Sequence, residues 1–281
     1  MDSDAPGRVL EGTGLTARPY NSDDYAAVVS AIESDWLPGQ HPAEFQFPPQ
    51  ALKKLHDAEI LVLCDVHGDV AGVVSIGVRP ADGAGLIVQL HGRENPEVVT
   101  ALLALARSHL AQRTLHAFTG PATATGIYGL PVEHRTVTAR ALTEAGFLPV
   151  SAQRYFLRDL NTFPAPQPQH PLADVTTITR PPGWMLRLTG TDGRHIATAI
   201  MRAPTSETAG MAVLWQLTVS PSHRRQGVAT RLLQQCLHQA AQHGAHYFTA
   251  DARDGETAAA CLLTRAGFFP LDTLTVFRRC L

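Results

Sequence analysis

Arg224-Arg225-Gln226-Gly227-Val228-Ala229-Thr230 joins a β-branched, apolar run ending in Leu217-Thr218-Val219 to an amphipathic stretch reaching His243. These types at this spacing suit phosphate chemistry. The first amides of a helix have no intrahelical partners, and the macrodipole adds about half a positive charge there. A strand, a loop and a helix start in this order therefore make a seat for a phosphate or pyrophosphate. Gly227 carries no side chain, so a ligand can approach the backbone closely. Arg224, Arg225 and Arg231 can add charge-assisted bonds.

The elements that hold this loop follow from periodicity. Val228, Ala229, Leu232, Leu233, Cys236, Leu237, Ala240 and Ala241 form one helical stripe, so the helix packs on a sheet with its N-terminus fixed. Around it the reading predicts a hairpin over 185–201, a strand at 246–252, a helix over 256–266 and a strand at 274–279. Earlier in the chain it predicts a strand at 15–18 and a helix after the Ser22-Asp23-Asp24 cap. A short helix at 51–56 follows, then a hairpin turning at His67-Gly68-Asp69. Next come a strand at 85–90, helices over 97–112 and 133–145, and strands at 115–119 and 154–160. Residues 161–182 carry six prolines and read as an extended linker.

The order repeats. Leu142–Leu160 and Leu263–Leu281 are identical at nine of nineteen positions, including Ala-Gly-Phe at 145–147 and 266–268. The stretches from Val98 and Val228 align as well, and both end in His-x-Phe-Thr. Two copies of one α/β unit account for this. The predicted organisation is a flexible lead at 1–14, a first unit at 15–160, the linker at 161–182 and a second unit at 183–281.

With these residues in view, Arg224-x-x-Gly227-x-Ala229 resembles the acetyl-CoA signature of the GNAT acetyltransferase superfamily. Ala259, Leu262 and Ala266-Gly267-Phe268 resemble the family's closing helix. The resemblance implies two tandem GNAT-type units of α/β (α+β) class, each a mixed, mostly antiparallel sheet flanked by helices. The plan is similar to that of the mycothiol synthases, with the acetylating unit at the C-terminus. It also implies acetyl-CoA, or another acyl-CoA, as co-substrate. The loop from Arg224 to Thr230 would take the pyrophosphate, and Leu217, Thr218 and Val219 the pantetheine arm. The loop of the first copy, His91 to Glu97, is about three residues shorter. It puts Glu97 in place of Gly227 and Pro96 in place of an amide. That copy is expected to shape the substrate cleft or an interface without binding coenzyme A.

Attack of an amine on a thioester needs a neutral nucleophile, an oxyanion site and a proton for the leaving thiolate. The family often uses a strand Glu as base and a helix Tyr as acid, but Val213 and Trp215 fill the strand positions and Leu263 the Tyr position. Asp251 and Glu207 are the candidate bases, and Tyr247 is the candidate acid, with Tyr155 beside it. Glu256 takes the family's Asn position, where it caps the helix or touches pantetheine. The resemblance gives the oxyanion to the backbone N–H near Val219.

The leading reading is an N-acetyltransferase acting on the amine of a small molecule, as a monomer or homodimer. Two others stay open: transfer from a carrier protein or an aminoacyl-tRNA, and a non-catalytic acyl-CoA-binding module. A formal net charge of -2 gives no global case for nucleic acid or membrane. The four cysteines lack C-x-x-C spacing, so no metal site is expected and the thiols read as reduced and buried. The N-terminus has no apolar signal core, and no run approaches the ~20 apolar residues of a membrane span. The expected location is cytoplasmic.

Overall fold

In the computed structural model, Leu61, Val74, Ile87 and Ala117 point from four strands onto Val99, Leu102 and Ala106 of one helix, and all are buried. They form the core of the first of two compact units, Met1–Ala152 with Thr273–Leu281; the second is Gln153–Asp272. The residues described are 8–9, 13–35, 37, 59–119, 128–180, 182–204 and 210–281. The predicted helix at 51–56 lies outside them.

The first unit runs β1 (Arg8–Val9), β2 (Thr16–Pro19), α1 (Tyr25–Ser34), β3 (Glu59–Cys64), β4 (Val70–Val78), β5 (Gly85–His91), α2 (Pro96–His109), β6 (Leu115–Ala117), β7 (Leu130–Pro131) and α3 (Thr136–Glu144). Strands β1 to β5 pair antiparallel in chain order, and β6 joins β5 in parallel. The helical turn before α1 is capped by Asn21 rather than Ser22: its side chain accepts from Asp23 and Asp24, and Asp24 accepts in return from the Asn21 N–H. Asp24 also takes both arms of Arg18 at 2.7 Å, which holds its carboxyl below the usual range.

The second unit comprises the Gln153–Asp159 part of β8 (Leu148–Asp159), β9 (Asp174–Thr179), β10 (Pro182–Thr189), β11 (His195–Arg202), β12 (Met211–Val219), α4 (Val228–Gln242), β13 (Tyr247–Arg253), α5 (Thr257–Arg265) and the Phe269–Asp272 start of β14 (Phe269–Arg279). Its strand order is β8-β13-β12-β11-β10-β9, antiparallel except for the parallel β12–β13 pair. Leu186, Ala199, Leu214 and Phe248 of these strands bury against Leu233 and Leu237 of α4 and Leu263 of α5. The Pro-rich stretch is not linker throughout: Asp174–Thr179 is a strand registered along β10. Its prolines stop short of the β-branched run Val175-Thr176-Thr177-Ile178, which is free to pair.

Each repeat ends its last helix in the same way. Gly146 (φ 85) and Gly267 (φ 80) are left-handed, and the following Phe147 and Phe268 N–H groups return to Leu142 and Leu263 at 3.0 and 3.1 Å. This is the Schellman closure that glycine permits. The strands that follow then change units. Tyr155 to Asp159 of β8 pair with β13 in the second unit, while Phe277 to Arg279 of β14 pair with β6 in the first. The arginines at matching repeat positions go with them: Arg158 donates to the Ala266 carbonyl beside Gly267, and Arg279 stands beside Gly146. The compact units therefore divide at 152/153 and 272/273, not at the edges of the Pro-rich stretch.

Among the described residues no helix is long and apolar enough to cross a membrane, and no group of His, Cys, Asp and Glu could hold a metal ion. Cys64 and Cys236 are buried, and burial pushes the Cys236 thiol up to about 12. Cys261 and Cys280 are exposed, against the expectation that all four thiols are buried.

Candidate active site

Strands β12 and β13 part company inside the second sheet. They pair from Met211↔Tyr247 to Leu214↔Ala250 and no further. Beyond that point β12 follows β11 to Val219↔Ala197, and β13 follows β8 to Arg253↔Gln153. The parting coincides with a bulge: Met201 faces Leu214 and Ile200 faces Gln216, so Trp215 is the extra residue. The Ser220 N–H donates to the Ile196 carbonyl at 2.8 Å, which makes 220/196 a hydrogen-bonded pair. Alternation along an antiparallel ladder then turns Gln216 and Thr218 toward β11, and the backbone groups of Leu217 and Val219 into the gap. Thr218, expected to line the pantetheine arm, thus gives its backbone to the ladder with β11. The gap-facing amide nearest the parting is that of Leu217, two residues before Val219.

The gap opens onto the Arg224 to Thr230 loop. Pro221–His223 forms one tight turn, Gln226 Nε2 donates to the Ser222 carbonyl at 3.0 Å, and Arg224 Nε donates to the Val219 carbonyl at 3.2 Å. Arg224 thereby ties the loop to the end of β12. Arg225 (φ 63) and Gly227 (φ 75) are both left-handed, and Gly227 is the N-cap of α4, whose start no side chain caps. Val228 is buried and anchors the helix, while Arg224, Arg225, Gln226 and Thr230 are exposed around its first turn. The structure thus brings the loop residues singled out by sequence to one helix start, beside the gap.

Asp251 is the first β13 residue past the last pair with β12, at the parting itself. Asp251 is exposed at its own surface, but the protein around it desolvates the carboxyl enough to raise it above the ordinary range; Arg253 pulls the other way and Glu256 adds to the rise. Tyr247 stands at the opposite end of β13, paired with Asp159. Four residues of strand, about 13 Å, separate it from Asp251, so the structure does not bring these two together. Glu207 lies outside the described residues. Glu256 is the N-cap of α5 but makes no side-chain cap, and Leu263 is buried. Sequence reasoning did not single out Arg202, whose guanidinium carbon lies 5.3 Å from the centre of the Trp215 ring. The only signal for it was its place at the end of an apolar strand.

Residues 153–268 match the model of the acetyltransferase (GNAT) family. That segment is a GNAT domain. It coincides with the second unit to within four residues at its C-terminal edge. No curated protein sequence matches the chain. Solved structures resemble it in fold. A GCN5-related N-acetyltransferase from Sphaerobacter thermophilus has a TM-score of 0.62 at 17% identity, covering 94% of this chain and 95% of its own. A tandem GNAT protein from the clavulanic acid biosynthesis pathway gives 0.60 at 13%, covering 94% and 98%. A glucosamine N-acetyltransferase region of a fungal multi-domain β-N-acetylglucosaminidase gives 0.64 at 12%, covering 99% of this chain and 39% of that one.

The repeat of the GNAT domain in the first unit has the same architecture with its gap filled. Val88 is the extra residue on β5, as Trp215 is on β12, so Leu90 corresponds to Leu217. The Leu90 carbonyl accepts from Arg135 at 2.7 Å. The guanidinium also pairs with Asp35 at 3.0 Å and Glu94 at 3.3 Å, and Glu94 accepts from the Val137 N–H at 2.8 Å at the start of α3. Burial alone would lift the Asp35 carboxyl, but the His91 hydrogen bond and the Arg135 charge outweigh it and hold it low. Burial keeps His91 neutral, so its Nδ1–H donates to Asp35 at 3.2 Å. The start of α2 is closed as well: Asn95 accepts from the Glu97 and Val98 amides, and Pro96 has none to offer. A cation and a capped helix thus stand where the GNAT domain has a gap and an uncapped one. Arg135→Met leaves Asp35 buried without its cation, so the variant loses about 3–5 kcal/mol of first-unit stability in chemical denaturation. A loss under ~1 kcal/mol would show the network to be incidental.

Proposed function

We propose that this chain is an acyl-CoA-dependent N-acyltransferase working in its second unit, most simply moving acetyl from acetyl-CoA to the amine of a small molecule. One observation carries the reading: a strand gap with inward-facing amides leads directly to an uncapped helix start at left-handed Gly227. Acetyl-CoA supplies an activated acyl group; its C–S bond is exchanged for a C–N bond, with release of a thiol and one proton. The Leu217 and Val219 backbones offer an extended arm the edge pairing that β13 has given up. The amides of α4, with Arg224 and Arg225, suit a diphosphate.

Asp251 is placed to take a proton from the incoming ammonium, giving the neutral amine that attacks. A carboxylate raised by partial desolvation is a better base near neutrality than an ordinary one. The Leu217 N–H, the gap-facing amide nearest Asp251, is assigned to the charge developing on the carbonyl oxygen, in place of Val219. The remaining excess proton of the nitrogen neutralises the thiolate through water, since Tyr247 stands at the far end of β13.

Thiol release from acetyl-CoA across a broad amine panel tests the reading. Rates fall as pH drops through the raised Asp251 value, because the protonated carboxyl is no base. Asp251→Asn lowers kcat by about 100-fold to 10,000-fold and flattens that acid limb. A variant within threefold of wild type would remove Asp251 from the mechanism. Tight acetyl-CoA binding with no turnover of any amine would favour a binding module instead.

A further inference from the structure

Among the described residues the sheet ends at β9, with no strand beyond it. The ladders behind β9 fix which of its backbone groups face outward. The Ala203 N–H donates to the Pro182 carbonyl at 3.0 Å, so the even-numbered residues of β10 turn their backbones toward β11. Gly183, Met185 and Arg187 are left to bond β9, where they face Ile178, Thr176 and Asp174. Val175, Thr177 and Thr179 therefore turn their N–H and C=O groups away from the sheet. All three residues are exposed.

An edge of this kind is ordinarily blunted by a lysine, a proline, a bulge or short length. Val175-Thr176-Thr177-Ile178-Thr179 carries no charge and no proline, and it keeps unbroken register with β10. Gln235 of α4 bounds it on one side by bonding both backbone groups of Ala173 at 2.9 Å, and the turn at Arg180 bounds it on the other. Asp174 and Arg180 thus flank an uncharged, β-branched edge with opposite charges, and both are exposed.

We infer that β9 is a self-pairing edge: two copies of this chain join antiparallel about a dyad at Thr177, and the sheet continues from one copy into the other. In that register every outward-facing residue meets another. Thr177 faces its own copy and Val175 faces Thr179 on both sides of the dyad, which makes about six backbone hydrogen bonds. Thr176 then lies against Ile178, and Asp174 of each copy against Arg180 of the other, so unlike charges meet at both ends. A register shifted by two residues either way loses both ion pairs. Strand pairing alone buries less than the ~1,600 Å² of a standard interface, so the expected dissociation constant is about 1–100 µM. Strands β10 and β11 stand between β9 and β12, a separation of about 14 Å, so the pairing leaves the parting gap open. No acyl donor or acceptor enters the pairing, which is independent of the acyl-transfer reading.

Sedimentation equilibrium of the full chain from about 1 µM to about 500 µM tests it. The weight-average mass rises with concentration from one copy toward two. Thr177→Pro removes the N–H at the dyad, which the β9–β10 ladder does not use, and weakens association by tenfold or more. Arg180→Asp leaves the strand intact but sets like charges against each other, and it weakens association as well. Adding Asp174→Arg to Arg180→Asp reverses both partners and recovers the dimer. A chain that stays a single copy throughout, a dimer that persists in Thr177→Pro, or one indifferent to the charge exchanges overturns the inference.

Discussion

Gly227→Glu lowers acetyl-CoA-dependent thiol release by at least about 100-fold in kcat/KM, a loss of ~2.7 kcal/mol in transition-state stabilisation. Two effects combine. Residue 227 has φ 75, where a side chain is strained, and a Cβ there comes within 3.3 Å of the Arg231 guanidinium. The larger effect is electrostatic: a carboxylate is placed at the helix start proposed to hold a diphosphate, so charge that attracted the ligand is cancelled. Gly227→Asn separates the two, because asparagine tolerates the left-handed region and is uncharged. It is expected to stay within about tenfold of wild type by the same rate arithmetic. Continuous thiol detection at subsaturating acetyl-CoA measures both. Equal losses in the two variants would assign the effect to backbone strain alone.

The exchanged strands make the second large effect. A chain ending at Asp272 loses the β14 segment that pairs with β6, together with Phe277, a buried member of the first core. The first unit is then expected not to fold, although every deleted residue belongs by sequence to the second repeat. Phe277→Ala is the graded form and costs about 3–5 kcal/mol, read by chemical denaturation. By the same logic, fragments cut at 160/161 leave the first repeat without Thr273–Leu281 and the second without Gln153–Asp159, so neither is stable alone. A folded, monomeric fragment 1–160 would show that β14 is dispensable to the first core.

Local features were legible in the sequence, and partner choice was not. The loop from Arg224 to Thr230 could be read because the strand, turn and helix start are consecutive residues. The Ala-Gly-Phe closures could be read because glycine is needed after each helix. The exchange of β8 and β14 could not, since two similar repeats offer each strand two similar partners and identity between copies does not choose. Strand β8 also begins with four exposed residues, Leu148 to Ser151, so no alternation marked its start. Strand β9 was hidden by the prolines around it. Tyr247 and Asp251 share a strand and a face, and only the point of parting separates their roles. In the first unit, Glu94 within the shortened loop was visible, but its partner Arg135 sits 41 residues away with no motif to flag it.

The second unit is proposed to hold the acyl donor, while the first has a cation in the corresponding gap. Calorimetric titration of acetyl-CoA into the full chain tests this most directly. One equivalent bound to the wild-type chain and none to Gly227→Glu is the expected result. Two equivalents, or one that survives in Gly227→Glu, would contradict it.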